Sequence, residues 1–236
     1  MVLTMSKPVM DLEEVVTLLV EHPPAVDLNA HAADISERLL RDGYAITPDF
    51  LSAEELALLT ADGHSLWAAG EFREARVGQG PRATLQQEIR SDRVHWLDPT
   101  TASAPQLAYM AKLDVLREAI NRATFAGLFS WEGHLAVYPV GAFYRPHLDR
   151  FENTSTRVLS TILYLNPTWA PGDGGELRLW LDTPPDAVRT PTGRTLDVAP
   201  LGGTLVTFWS DQYVHEVLPA NFERMSITGW FRRREG

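Results

Sequence analysis

A chain of 236 residues with a net charge of −10 is too acidic for general affinity toward phosphate backbones or anionic membranes. It contains no cysteine, so no disulfide can support the fold and no thiolate can ligate a metal or attack a substrate, which fits a cytoplasmic location. With 44% hydrophobic residues it can bury a proper core, and a β-rich fold of this size need not be split into separate domains.

Met1 to Met10 has no long apolar core and Glu13 and Glu14 interrupt the next apolar stretch, so a secretory signal is not expected. Asp11 to Val20 has a helical pattern that Pro23-Pro24 ends, because proline lacks the N–H that a helix needs. A second helix is predicted over Ala30 to Arg41, with Gly43 as its stop and Tyr44-Ala-Ile46 as a short strand. Ser52-Ala-Glu-Glu55 is a capping-box pattern: serine serves the free N–H groups while glutamate reaches back. A helix to about Ala69 follows. Between Glu71 and Leu97 the chain turns Gly- and Arg-rich around Gly78-Gln-Gly-Pro-Arg82 and returns to an apolar strand at Val94. This reads as a hairpin-like loop, and a loop that leads back to a functional site can act as a lid. Ser103 to Leu128 is a long helix candidate that braces a sheet, with Leu107, Met110, Leu113, Leu116 and Ile120 at helical spacing. From Trp131 onward short apolar strands alternate with turns at Pro171–Gly175, Pro184-Pro185, Thr192-Gly193 and Gly202-Gly203, a pattern of sandwiches and barrels. The uncharged run from Val158 to Gly172 contains two prolines and is too short to span a bilayer.

The chemistry concentrates in His147, Asp149, His215 and Arg224. His-x-Asp in Tyr144-Arg-Pro-His-Leu-Asp149 places two ligands on one face of an extended strand. Alone it means little: 7 histidines and 31 acidic residues supply about one such pair by chance. His215 arrives in a second strand-like stretch, Tyr213 to Val217, and two histidines with one carboxylate form a metal face with open positions, as in non-haem Fe(II) oxygenases. A structural zinc site is disfavoured, because it takes four protein ligands and often thiolates. The remaining histidines, His22, His31, His64, His95 and His134, show no second ligand spacing and read as ordinary. Arg224 to Trp230 alternates as a strand whose face carries Arg224, Ser226, Thr228 and Trp230. A guanidinium fork and a hydroxyl two residues on can grip a carboxylate. Fe(II), Asp149, a dicarboxylate and Arg224 sum to zero charge, which lets the filled site be buried.

From about Trp131 to Arg234 the chain resembles the prolyl-hydroxylase branch of the Fe(II)/2-oxoglutarate dioxygenases, close to the hypoxia-factor prolyl hydroxylases and their bacterial relatives. The matching words are Ala136-Val-Tyr-Pro139, Tyr144 to Asp149, Leu163-Tyr-Leu-Asn166, Gly174-Gly-Glu-Leu177, Phe208-Trp-Ser-Asp211, His215-Glu-Val-Leu-Pro-Ala220 and Arg224 to Trp230, in the family's order. Upstream, Ile89-Arg-Ser-Asp92 and Val94-His-Trp96 resemble the segment that leads out of a loop over the active site, with Ser91 where relatives carry glycine.

The resemblance implies a mainly β, α+β fold: a double-stranded β-helix, or jelly roll, over 131–236, supported by a helical part over 1–130 that includes the lid-like loop at about 71–97. It implies that His147, Asp149 and His215 ligate iron and that Arg224 and Tyr164 bind the distal carboxylate of 2-oxoglutarate. Tyr138, Ser226, Thr228 and Trp230 would line the cofactor pocket, although Ser226 replaces a small apolar residue of the hypoxia-factor enzymes. Tyr144 and Arg157 would contact substrate. The implied cofactors are Fe(II), 2-oxoglutarate and O2, with ascorbate as reductant. The implied reaction is hydroxylation of a prolyl residue in a protein, such as a translation factor, with 2-oxoglutarate converted to succinate and CO2. Asp149 favours hydroxylation over halogenation, since related halogenases replace this carboxylate. Two alternatives stay open: hydroxylation of a free amino acid or small metabolite, and a non-catalytic cupin-like metal sensor. No nucleic-acid or membrane partner is expected.

Overall fold

The computed structural model describes residues 26–76, 84, 86–150 and 156–234; the helix expected at Asp11–Val20 and the Gly78–Arg82 stretch lie outside them. Helix α1 (Leu28–Asp42) starts where the Asp27 carboxylate accepts from the N–H groups of Asn29 and Ala30. It ends at Gly43, whose φ of 78° suits glycine and whose N–H returns to the Leu39 carbonyl. Strand β1 (Tyr44–Thr47) follows directly. Helix α2 (Ala53–Ala68) opens on the expected capping box: the Glu55 N–H donates to Ser52 Oγ at 3.2 Å and the Ser52 N–H to Glu55 Oε2 at 2.8 Å. Strands β2 (Arg73–Glu74) and β3 (Arg93–Trp96) pair as the expected hairpin.

Helix α3 (Ala104–Thr124) stops at Thr124 rather than at the expected Leu128. Phe125 turns left-handed with φ 55°, and the Asn121 side chain clasps Leu128 by both of its backbone groups, at 2.7 and 2.8 Å, so the chain doubles back. The buried stripe of α3 runs through Gln106, Tyr109, Leu113, Leu116 and Ile120. Leu107, expected in that stripe, is 46% exposed, because six residues before Leu113 it points about 120° away around the helix.

The rest is antiparallel sheet: β4 (Ser130–Tyr138), β5 (Tyr144–His147), β6 (Arg157–Tyr164), β7 (Leu177–Trp180), β8 (Thr195–Val198), β9 (Leu205–Trp209), β10 (Val214–Val217) and β11 (Arg224–Arg232). The strands form a seven-stranded sheet in the order β1-β9-β6-β11-β4-β3-β2 and a four-stranded sheet in the order β5-β10-β7-β8. This is the expected α+β jelly roll with supporting helices. Among the described residues no helix is long and apolar enough to cross a membrane.

Alternation decides which sheet face meets what. Leu135, Val137, Leu159, Leu163, Ile227 and Phe231 pack against α1 and α3 through Ile35, Leu39, Leu116 and Ile120. The opposite face of the large sheet meets the small one, where Ile162, Tyr164 and Phe208 pack on Leu177 and Leu179. The Trp131 ring lies so close over β11 that a Cβ on Gly229 would meet it at 2.3 Å. Leu116 is fully buried between α3 and the sheet, so Leu116→Ala should cost about 2–5 kcal/mol in urea denaturation from cavity formation.

Candidate active site

His147 ends β5, His215 lies in β10, and the two are cross-strand partners with ring centroids 4.1 Å apart. Asp149 lies past the end of β5, in a bend. The expectation that His147 and Asp149 converge as neighbours on one strand is therefore corrected: the strand has ended, and the turn after it brings the carboxylate in. Asp149 Oδ1 is 3.7 Å from His147 Nε2, and Oδ2 is 3.5 Å from His215 Nε2. The three side chains each offer a ligand atom within 4.8 Å of the others.

Each imidazole is oriented by its own backbone. His147 Nδ1 lies 2.8 Å from the Arg145 carbonyl and His215 Nδ1 lies 3.0 Å from the Tyr213 carbonyl. A carbonyl only accepts, so Nδ1 carries the proton and Nε2 keeps its lone pair for a metal. Burial, aided by the neighbouring His215, drives His147 down to about 3. Burial would push Asp149 up, but His215, His147 and the Ser160 hydroxyl outweigh it and hold the carboxyl at about 2. At neutral pH the imidazole of His147 is neutral and the carboxylate ionised, the states that metal binding requires.

The second part of the site is set by register. Arg224 stands opposite Tyr138, Ser226 opposite Ala136 and Tyr164, Thr228 opposite His134 and Ile162, and Trp230 opposite Ser160. Arg224 is 1% exposed. Its Nη1 reaches Ser226 Oγ at 3.4 Å, its Nε has no hydrogen-bond partner, and its Cζ lies 4.8 Å from the Tyr138 ring and 5.0 Å from the Tyr164 ring. The Tyr164 hydroxyl is also buried without a hydrogen-bond partner, and burial raises it to about 12 although Arg224 opposes this. Among the described residues no carboxylate pairs with Arg224. A buried guanidinium without a counter-ion is costly, so this end of the site is built for an anion.

Arg224, Tyr138, Thr228 and Trp230 line one cleft with the metal triad, as do Tyr144 and Arg157. Ser226 and Tyr164 are fully buried behind that lining. Tyr144 stacks on His147 at 3.5 Å between centroids. Arg157 lies 3.4 Å over the Trp230 ring and pairs with Glu132 at 2.8 Å.

Three contributors were not anticipated. Arg90 lines the cleft, lies 4.4 Å over the Tyr144 ring and forms a double hydrogen bond with the buried Asp92, which raises its already high pKa against the effect of burial. Its spacing, Arg-x-Asp on a segment entering a strand, was the available signal. His134, read as ordinary, is instead a cleft residue between Trp96 at 5.0 Å and Trp230 at 5.7 Å, and burial holds it at about 4 and therefore neutral. Alternation from Tyr138 through Ala136 to His134 places it on the site face. Ser160 donates to Asp149 at 2.6 Å across eleven residues, a pairing between β6 and the bend after β5 that no local pattern carries.

A family model described as "2OG-Fe(II) oxygenase superfamily" matches residues 133–232. A Pseudomonas putida prolyl-4-hydroxylase is 40% identical with a TM-score of 0.76, the match covering 86% of this chain and 100% of that one. The chain belongs to the 2OG-Fe(II) oxygenase superfamily. A Trichoplax adhaerens prolyl hydroxylase, solved with a hypoxia inducible factor oxygen degradation domain peptide fragment, is 26% identical with a TM-score of 0.75, covering 87% of this chain and 90% of that one. A Phytophthora capsici prolyl 4-hydroxylase, 22% identical with a TM-score of 0.62 and covering 90% and 68%, shares the fold. The likeness is to the prolyl 4-hydroxylase branch, and the protein is a 2-oxoglutarate-dependent dioxygenase using Fe(II), 2-oxoglutarate and O2. Membership of this enzyme family leaves the sensor alternative without support.

The anion end depends on a close approach at Gly175. Its φ is 72°, and a Cβ there would lie 2.8 Å from Ala220 Cβ and 3.3 Å from Arg224 Cδ. Gly175→Ala should therefore displace the Arg224 stem and raise the KM for 2-oxoglutarate by roughly tenfold, about 1.4 kcal/mol, with a smaller change in metal affinity; steady-state kinetics at varied 2-oxoglutarate measures it.

Proposed function

We propose that this dioxygenase hydroxylates a prolyl residue in a protein substrate. His147, Asp149 and His215 hold the Fe(II), and Arg224, Ser226 and Tyr164 receive the distal carboxylate of 2-oxoglutarate, with Tyr138, Thr228 and Trp230 around it. The observation that carries this assignment is the uncompensated buried guanidinium in the same cleft as the triad. One dicarboxylate satisfies the orphaned Arg224 Nε and Tyr164 hydroxyl and brings the filled site to zero net charge.

When bound, the iron and its cosubstrates supply the oxidising power that turns a C–H bond into C–OH while 2-oxoglutarate becomes succinate and CO2; ascorbate serves as an accessory reductant. The chain's own residues select what is presented to it. Trp96 is 53% exposed at the cleft, an apolar ring for an extended substrate to rest against. Tyr144 and Arg157 stand beside the triad and Trp230, where they contact the chain flanking the target residue. The likeness to a hydroxylase solved with a peptide supports a protein over a free amino acid.

Two experiments test this. Purified enzyme with Fe(II) and 2-oxoglutarate should add one oxygen to a prolyl residue of a candidate protein, read by peptide mass spectrometry; oxidation of free proline alone would overturn the protein-substrate reading. Arg224→Ala should raise the KM for 2-oxoglutarate by roughly 100-fold, about 3 kcal/mol for a buried charge-assisted contact, whereas His147→Ala should abolish succinate formation.

A further inference from the structure

Asp149 is the member of the triad that no strand holds. Beyond the end of β5, the Arg150 N–H donates to the Ser210 carbonyl at 3.1 Å, and the Arg150 guanidinium pairs with Asp211 at 2.7 Å. The carboxylate itself is gripped by hydroxyls. Ser160 Oγ lies 2.6 Å from Asp149 Oδ2 and 2.9 Å from Ser210 Oγ, and both serines are fully buried. An ionised carboxylate only accepts, so the Ser160 proton lies toward Asp149 and Ser210 must donate to Ser160. The bonds run in one direction, from Ser210 to Ser160 to Asp149, and each donor polarises the next. They engage Oδ2, which also lies 3.5 Å from His215 Nε2; Oδ1 makes no hydrogen bond among the described residues and lies 3.7 Å from His147 Nε2.

We infer that Ser160 and Ser210 are positioning residues for the metal, fixing the Asp149 carboxylate so that it is presented together with Nε2 of His147 and His215. The inference rests on the iron-binding reading of the triad. Ser160 stands in the middle of β6, paired with Phe208 of β9 and Trp230 of β11, and Ser210 directly follows β9, its N–H donating to the Val158 carbonyl at 3.0 Å. One hydroxyl therefore comes from the interior of the large sheet and the other from the turn at its margin. They transfer its rigidity to a ligand whose own backbone lies outside any strand, as outer partners of metal ligands do.

Calorimetric titration of metal-free protein with Mn(II) alone tests this without catalysis. Ser160→Ala should weaken binding by ~10-fold to 100-fold. Ser210→Ala should weaken it less, since Ser160 still donates, and Ser160→Thr, which keeps the hydroxyl, should bind close to wild type. Melting in EDTA identifies variants that fold normally. Wild-type affinity in folded Ser160→Ala, or a folded Ser160→Thr as weak as Ser160→Ala, overturns the inference. If Ser160→Ala does not fold, Ser210→Ala decides, and wild-type affinity there overturns it. A wild-type protein that binds no Mn(II), or a His147→Ala variant that binds as wild type does, sinks the triad reading itself, which separates the two failures.

Discussion

Strand β11 has two chemically opposite faces, and the molecule depends on keeping them apart. Met225, Ile227 and Phe231 face the helices, while Arg224, Ser226, Thr228 and Trp230 face the site. Pairing with β4 on one side and β6 on the other runs almost the full length of the strand. A slip of one residue would exchange the faces, placing a guanidinium in the apolar core and Ile227 in the cleft. Register is thus specified by the same burial that stabilises the fold, and the anion end of the site follows from it.

The two ends of the cleft differ in how they are held. Arg224 and its neighbours stand on long, doubly paired strands, whose register holds the guanidinium in place although burial without a counter-ion is costly. The metal end is made from β5 and β10, each only four residues long, and from a bend. Its precision comes from hydrogen bonds: carbonyls two residues back fix both imidazoles, and buried hydroxyls fix the carboxylate. Neither end is satisfied alone. The orphaned guanidinium requires an anion, and the cluster of Nε2 and carboxylate atoms requires a cation.

Features carried by short-range chemistry were legible in the sequence. The Ser52 cap, the Gly43 stop and the alternation of Arg224 to Trp230 each involve residues within a few positions, and each forms as read. The end of α3 was not legible, because a reversal made by Asn121 on Leu128 looks like continued helix in a periodicity count. His134 was missed for a related reason. It has no metal-ligand spacing, and what brings it to the cleft is its place on β4 opposite Thr228. Arg90 carries only an Arg-x-Asp spacing as a local signal, and its place beside Tyr144 comes from a long-range bridge, while Ser160 reaches Asp149 through the return of β6 past the bend after β5.

The bend after β5 gives Asp149 a freedom that the residues of β11 lack. The His-x-Asp spacing predicts two positions on one strand, yet only the histidine is in the ladder. A carboxylate in a bend is free of the alternation that ties β11 to the core, so its position can be adjusted by residues such as Ser160 and Ser210 without disturbing a strand register. The anion end has no such freedom, since moving Arg224 moves β11. The position of Asp149 is therefore open to adjustment by single hydroxyls, while the position of Arg224 is locked to the fold.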